Sequence, residues 1–280
     1  MVRLLILPGR ELQMNRAWWR QLSLRLRWSV RDVKKVRPYE KLASIYDHLM
    51  SHVDYQFWAE YTHDLIQRWH PQVQTLLDIA CGTGNLLKEM NEFSYKLFGC
   101  DFSFPMVLQA AKKPSLWNVS LWQSDMVHPA FKRRMDVILC LYDSINYIMK
   151  EEKIAQFLIT TNALLSPQGI LIFDICTERN SLNYFYNYYD HDENEKFSYD
   201  RWSHYNQKKK IQFTEFKIRI KNNPVTYHEV HEQRIYPISI FLRLIKSSPL
   251  KILSVYDEFS FDQPQNKSNR IHFVLQRREF

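Results

Sequence analysis

Five short apolar runs recur along the middle of this 280-residue chain, each followed by a segment with a different rhythm. They are "TLLDIA" from Thr75, "KLFGCDF" from Lys96, "VSLWQSD" from Val119, "MDVILCLYD" from Met135 and "GILIFDIC" from Gly169. Most are too continuously apolar for a strand with one wet face, so they read as strands buried on both sides. The intervening segments, among them "PMVLQAAKK" and "EEKIAQFLITTNALL", space their apolar residues by three and four, as helices do. Such alternation requires a mostly parallel sheet with helices on both faces. Near the C-terminus, "LKILSVYDEFSF" and "RIHFVLQRR" bring the expected strand count to seven.

The rhythm changes between the fifth and sixth of these strands. "EKFSYDRWSHYN", "KKIQFTEFKIRI" and "VTYHEVHEQRIY" alternate with period two and are separated by turn-like "QKK" and "KNNP". They predict a small antiparallel β insertion over residues 178–235. The α/β unit then comprises residues 38–177 and 236–280. Its first part, "YEKLASIYDHLMSHVDYQFWAEYTHDLIQRW", reads as two helices broken near His52–Asp54.

Residues 1–37 form a basic N-terminal extension. They hold ten Lys or Arg against two acids, which accounts for the whole net charge of +8. The rest of the chain is neutral, so a general basic surface is excluded. The extension fits an RNA- or membrane-binding amphipathic helix, a targeting peptide, or a plain mobile extension ahead of the true start, given Met14. No apolar run approaches the roughly 18 residues of a membrane span. The four cysteines are far apart and form no CxxC pair, so neither zinc nor a disulfide framework is indicated. That usage fits a reducing, cytoplasmic setting, and no metal is expected.

Only five glycines occur, and two of them, Gly82 and Gly84, stand in the strand-to-helix joint "LLDIACGTGNLL". A ligand there sits over a strand's C-terminal end and a helix N-terminus, where a missing Cβ lets the backbone approach it. A dinucleotide fingerprint needs a third glycine, and Leu87 stands at that position. That weakens a nicotinamide dehydrogenase reading. Acids end successive strands instead. Asp78 ends the first, Asp101 ends the second where it can accept both hydroxyls of a ribose, and Asp125 ends the third. Asp101 also fits a helix N-cap, and Asp125 a turn cap.

In order and spacing, "LLDIACGTGN", "FGCDFSFPMVLQA", "WQSDM", "VILCLYDSINYI" and "LLSPQGILIFDI" resemble the class I S-adenosylmethionine-dependent methyltransferases, from about Tyr39 to Arg277. The likeness is to the bacterial small-molecule type. Ala80 departs from the pattern, standing where many members carry the motif's first glycine. The resemblance implies a Rossmann-like fold and S-adenosylmethionine as cofactor. It implies that Asp78 and the backbone of Ala80, Gly82 and Gly84 hold the methionine portion. Asp101 would hold the ribose, Phe102 and Met106 would flank the adenine, and Asp125 with the Met126 backbone would meet its amino edge. Leu141 and Tyr142 would line the sulfonium end, under a lid carrying Tyr39 and Tyr46.

Methyl transfer from a sulfonium needs alignment more than a dedicated catalytic group. A base would help an N or O acceptor lose its proton. The candidates are His231, Arg234 and Tyr142. On a strand, Glu229, His231 and Gln233 share one face, and His228, Glu232 and Arg234 the other. Asp143 and Asn146 are candidate substrate contacts. "LYDSINY" lacks the prolines of base-amino methyltransferases, which argues against flipped-base chemistry. The expected partner is a small-molecule acceptor. An RNA- or ribosome-associated methyltransferase using the basic arm, and a non-catalytic cofactor-binding protein, are the alternatives.

Overall fold

The computed structural model describes residues 33–278. Its larger sheet has seven strands: β2 (Thr75–Asp78), β3 (Lys96–Asp101), β4 (Ser120–Gln123), β5 (Met135–Cys140), β6 (Leu165–Cys176), β11 (Leu250–Asp257) and β12 (Arg270–Arg277). Their order is β11-β12-β6-β5-β2-β3-β4. The five from β6 to β4 run parallel, and β12 is antiparallel to both of its neighbours. This is a Rossmann-like α/β fold.

Alternation along each strand distributes side chains to two cores. Leu77, Ile138, Leu171 and Phe173 pack on one side with Phe157 and Leu158 of helix α5 (Glu151–Leu164) and Phe241 of α7 (Ile238–Lys246). Leu76, Val137, Leu139 and Ile172 pack on the other with Leu65 and Ile66 of α2 (Tyr55–Trp69) and Leu87 and Met90 of α3 (Asn85–Met90). The residue that spoils the dinucleotide fingerprint belongs to this second core. A Cβ added at Gly99 would come within 2.5 Å of Leu87 Cδ1, so Leu87 occupies space that Gly99 leaves open.

The second sheet has the order β1-β10-β9-β8-β7. Here β8 (Phe197–Asn206), β9 (Ile211–Ile220) and β10 (Thr226–Arg234) are the three alternating stretches, paired antiparallel. Two strands join them beyond the sequence expectation. An exposed edge strand, β7 (Asn187–Glu193), pairs with β8, preceded by helix α6 (Glu178–Tyr184). Residues Val33–Lys35 form β1, parallel to β10, although composition groups them with the basic extension. The first 32 residues of that extension lie outside the described residues.

A short 3-10 turn (Leu42–Ser44) and helix α1 (Tyr46–Leu49) lie between the two sheets. Their Leu42, Ile45 and Leu49 pack on Phe197, Phe216 and Ile218 of the second sheet. Among the described residues, no helix is long and apolar enough to cross a membrane.

Candidate active site

The chain runs outward from β2 to β3 and β4, then returns to the other side of β2 as β5 and β6. The loops after β2 and β5 therefore diverge, and the crevice between them is where such sheets take ligands. A cavity of about 1380 Å³ opens there, bounded by the loops of the large sheet, by α1 and by the inner face of the second sheet.

Asp78 closes β2 at the cavity floor and is 4% exposed. Its Oδ1 accepts one backbone hydrogen bond, from Ala80 N at 3.2 Å. Burial, opposed by that bond and assisted by the charge of Asp101, pushes its carboxyl up to about 7. Among the described residues, no cation pairs with this buried carboxyl. Asp101 holds the turn together: Oδ2 accepts from Gly82 N at 2.9 Å and Oδ1 from Ser103 N at 2.8 Å. Burial raises its carboxyl as well. The helix that follows, α4 (Phe104–Ala111), is capped by Ser103, whose Oγ accepts from Met106 N. The N-cap alternative for Asp101 is thereby set aside.

The two motif glycines differ. Both have left-handed backbones, with φ of 55° at Gly82 and 76° at Gly84. A Cβ at Gly82 would meet nothing within 4 Å, and Gly82 lines the cavity. A Cβ at Gly84 would lie 2.5 Å from Leu116 Cδ1 and 3.3 Å from Ala110 Cβ. Gly84 does not line the cavity. It is a close-packing glycine, which corrects its expected place beside a ligand.

Ala80, Phe102, Met106, Asp125, Met126 and Leu141 also line the cavity, as do Tyr39 and Tyr46. Phe102 is 67% exposed at the rim and Met106 is buried beneath it. Asp125 lies two residues past the end of β4, and its Oδ1 accepts from Val127 N at 2.8 Å. Asp47 of α1 fastens this segment to the glycine turn, accepting from Thr83 Oγ1 at 2.5 Å and Asn85 Nδ2 at 3.1 Å. Tyr39 also has positive φ, at 62°, and its carbonyl accepts from Ser103 Oγ.

The base candidates separate by face. His231 and Gln233 point into the cavity, and Tyr142 lines it. Arg234 does not. It lies on the other face of β10, its guanidinium 5.8 Å from the Tyr236 ring centre. Period two along the strand puts it there, so it is removed from the site. Asn146 is also removed: fully buried, it donates to Arg234 O and accepts from Cys176 N.

Asp143 is present but engaged. One oxygen accepts from Gln233 Nε2 and the other pairs with Arg270 Nη2 at 2.8 Å. Arg270 also binds the fully buried Asp174 and lies over Trp58 and Tyr142, 5.3 Å from each ring centre. One guanidinium faces two buried carboxylates, and burial pushes both carboxyls upward. Nothing in the local sequence singles out Arg270. Register does, by setting it opposite Cys176 at the end of β6, two residues from Asp174. Tyr142 and Asp143 have φ of 60° and 50°, so strained backbone is concentrated at this loop. Among the described residues, no three His, Cys, Asp or Glu side chains converge on a metal position.

The donor set suits a cationic ligand. Two buried carboxylates at the glycine turn would repel a pyrophosphate and attract an ammonium. Residues 76–169 match the methyltransferase domain family. The Bacillus subtilis protein YqeM, named only as a methyltransferase, is 27% identical over 243 residues, covering 85% of this chain and 97% of its own. These matches support a class I S-adenosylmethionine-dependent methyltransferase. An N,N-dimethyltransferase of a dTDP-3-amino-trideoxyglucose from Streptomyces venezuelae is 27% identical over 134 residues, 47% of this chain and 56% of its own. Among solved structures, an S-adenosylmethionine-dependent methyltransferase from Clostridium acetobutylicum superposes with a TM-score of 0.71 at 24% identity, covering 85% of this chain and 98% of its own. The sugar N-methyltransferase KedS8 from Streptoalloteichus gives 0.70 at 20% identity, covering 84% and 93%. The cofactor of this methyltransferase is S-adenosylmethionine, which supplies an activated methyl group on a sulfonium.

Proposed function

We propose that this methyltransferase moves the methyl group to a nitrogen or oxygen of a small-molecule acceptor, with an amine the favoured class. The observation that carries the reading is the single cavity shared by the two sheets. Its 1380 Å³ exceeds the roughly 300–1,000 Å³ of an ordinary small-ligand pocket, leaving room for a second small molecule beside the cofactor. The amino-sugar methyltransferases among its relatives support an amine. So does the surplus of buried carboxylate around Arg270, which favours a cationic acceptor over an anionic one.

In this reading Asp78 holds the cofactor's ammonium group, and the open cradle at Gly82 takes its main-chain portion. Asp101 holds the ribose, with Phe102 and Met106 against the adenine and Asp125 with Met126 at its edge. Tyr39 and Tyr46, on the segment over the cavity, exclude water, and Leu141 and Tyr142 flank the reacting centre. The acceptor lies between the loop after β5 and the Gln233–His231 face of β10.

Calorimetric titration with S-adenosylmethionine, with NAD as control, tests the cofactor assignments. Asp101→Ala weakens binding at least tenfold with the fold intact, because a charged acceptor of the ribose hydroxyls is worth about 1.5–3 kcal/mol. Undiminished affinity would remove Asp101 from the site. Methyl transfer from labelled cofactor to dTDP-linked amino sugars then tests the acceptor class, and transfer to RNA alone would reverse that choice.

A further inference from the structure

Four side chains along one wall of the cavity are joined end to end. Tyr39 Oη lies 2.6 Å from Tyr147 Oη, Tyr147 Oη lies 3.1 Å from His231 Nδ1, and His231 Nε2 lies 3.1 Å from Glu229 Oε2. The first three line the cavity, and Glu229 is fully buried behind them.

The last member sets the direction of the chain. Glu229 Oε1 accepts from Lys41 N at 2.6 Å and Leu42 N at 2.9 Å, and Oε2 accepts from Tyr39 N at 2.8 Å. Such a carboxylate can only accept, so His231 donates to it from Nε2 and keeps a lone pair on Nδ1. Tyr147 then donates to Nδ1, and Tyr39 donates to Tyr147. Every hydrogen in the chain points away from Tyr39 Oη, whose own lone pairs remain unused along it.

We infer that Tyr39, Tyr147 and His231 form a proton relay that removes the acceptor's N–H or O–H proton during methyl transfer, with Glu229 as the positioning residue. The inference rests on the methyltransferase reading and restricts it to acceptors that carry an acidic hydrogen. The acceptor atom gains a bond to the methyl carbon, the carbon–sulfur bond breaks with its electron pair left on sulfur, and one proton departs. That proton goes to Tyr39 Oη as the Tyr39 proton passes to Tyr147 and the Tyr147 proton to His231 Nδ1. Positive charge ends on the imidazole, against the Glu229 carboxylate. Burial raises both phenols well above their ordinary range, so the hydroxyls hand a proton on without holding a negative charge. His231 returns the proton to water once product has left.

Glu229 also ties the relay to the lid. The carboxylate that orients His231 caps the turn at Lys41–Leu42 and holds the backbone of Tyr39. The relay is therefore aligned only when this segment is seated.

Nitrogen-15 NMR of histidine-labelled protein, with and without S-adenosylmethionine, reads the direction directly. The His231 hydrogen is expected on Nε2, with a lone pair on Nδ1. In Tyr147→Phe the Nδ1 resonance moves toward that of a free lone pair. In Glu229→Gln an amide donor faces Nε2 and the hydrogen moves to Nδ1. A hydrogen on Nδ1 in the native protein, or an unmoved Nδ1 resonance in Tyr147→Phe, overturns the relay even if Glu229→Gln fails to fold. With a dTDP-linked amino sugar as acceptor, Tyr147→Phe lowers kcat about a hundredfold, while KM and cofactor affinity stay within twofold. Equal turnover would leave the network a structural tie and overturn the relay. Cofactor affinity, measured on the same samples, reports separately on the methyltransferase reading.

Discussion

Asp78 is a buried carboxyl with no cationic partner among the described residues. With its carboxyl pushed up to about 7, it holds a proton part of the time near neutrality. An ammonium ligand would select the carboxylate form, so under the proposed contact between Asp78 and the cofactor's ammonium, cofactor binding should release that proton. Affinity for S-adenosylmethionine is expected to fall by up to tenfold per unit as pH drops below about 7, and to level off above it. The sign for stability is the opposite. The folded carboxyl sits above its ordinary 3.8, so the folded chain binds more protons than the unfolded one between the two values. The free protein should therefore lose stability as pH rises through that interval, and cofactor should restore it. Thermal melts at pH 5 and pH 8, each with and without cofactor, check both signs. A cofactor-induced shift of the same size at both pH values would mean that Asp78 does not meet the ammonium.

The glycine turn after β2 and the interior of β3 carry glycines of two kinds, and substitution should separate them. Gly82→Ala puts a methyl into open cavity at a left-handed position. The fold should lose about 1–2 kcal/mol, and cofactor affinity should fall because the cradle is filled. Gly99→Ala drives a methyl to within 2.5 Å of Leu87 and 2.9 Å of Leu121 inside a packed face. It should cost about 1–3 kcal/mol of stability and leave the cofactor affinity of the folded fraction unchanged. Denaturant unfolding paired with calorimetry distinguishes the two; equal effects on binding would erase the distinction. At this scale the sequence was widely legible, because apolar runs and glycines at joints express local backbone demands. The edge strand β7 was not: "NYYDHDE" faces solvent on most of its length and shows no alternation. Nor was the ligation of Asp143. Arg270 reaches it from a strand 127 residues away, through a pairing register that no local pattern encodes.

The two sheets meet through the segment from Val33 to Leu49, and the chain's N-terminal portion changes character within it. Charge alone places one boundary at residue 37, but strand pairing places another at Val33. Lys34 and Lys35 pair with Tyr227 and His228, and Val36 N donates to His228 O at 3.0 Å, next to the carboxylate of Glu229 that holds Tyr39. Two truncations therefore test different things. A chain beginning at Val33 loses seven Lys or Arg and two acids yet keeps β1. If the acceptor is a small molecule, it should bind cofactor and turn over like the full chain. A chain beginning at Pro38 also loses β1 and leaves an edge of β10 unpaired beside the lid. It should bind cofactor several-fold more weakly, since the seating of Tyr39 depends on that strand. Titrations of the three lengths with cofactor, and with a structured RNA at two salt concentrations, decide between the uses of the arm. Salt-dependent RNA binding lost in the Val33 chain, together with lost turnover, would move the acceptor from small molecules to RNA. Equal cofactor affinity in the Val33 and Pro38 chains would show that β1 does not support the lid.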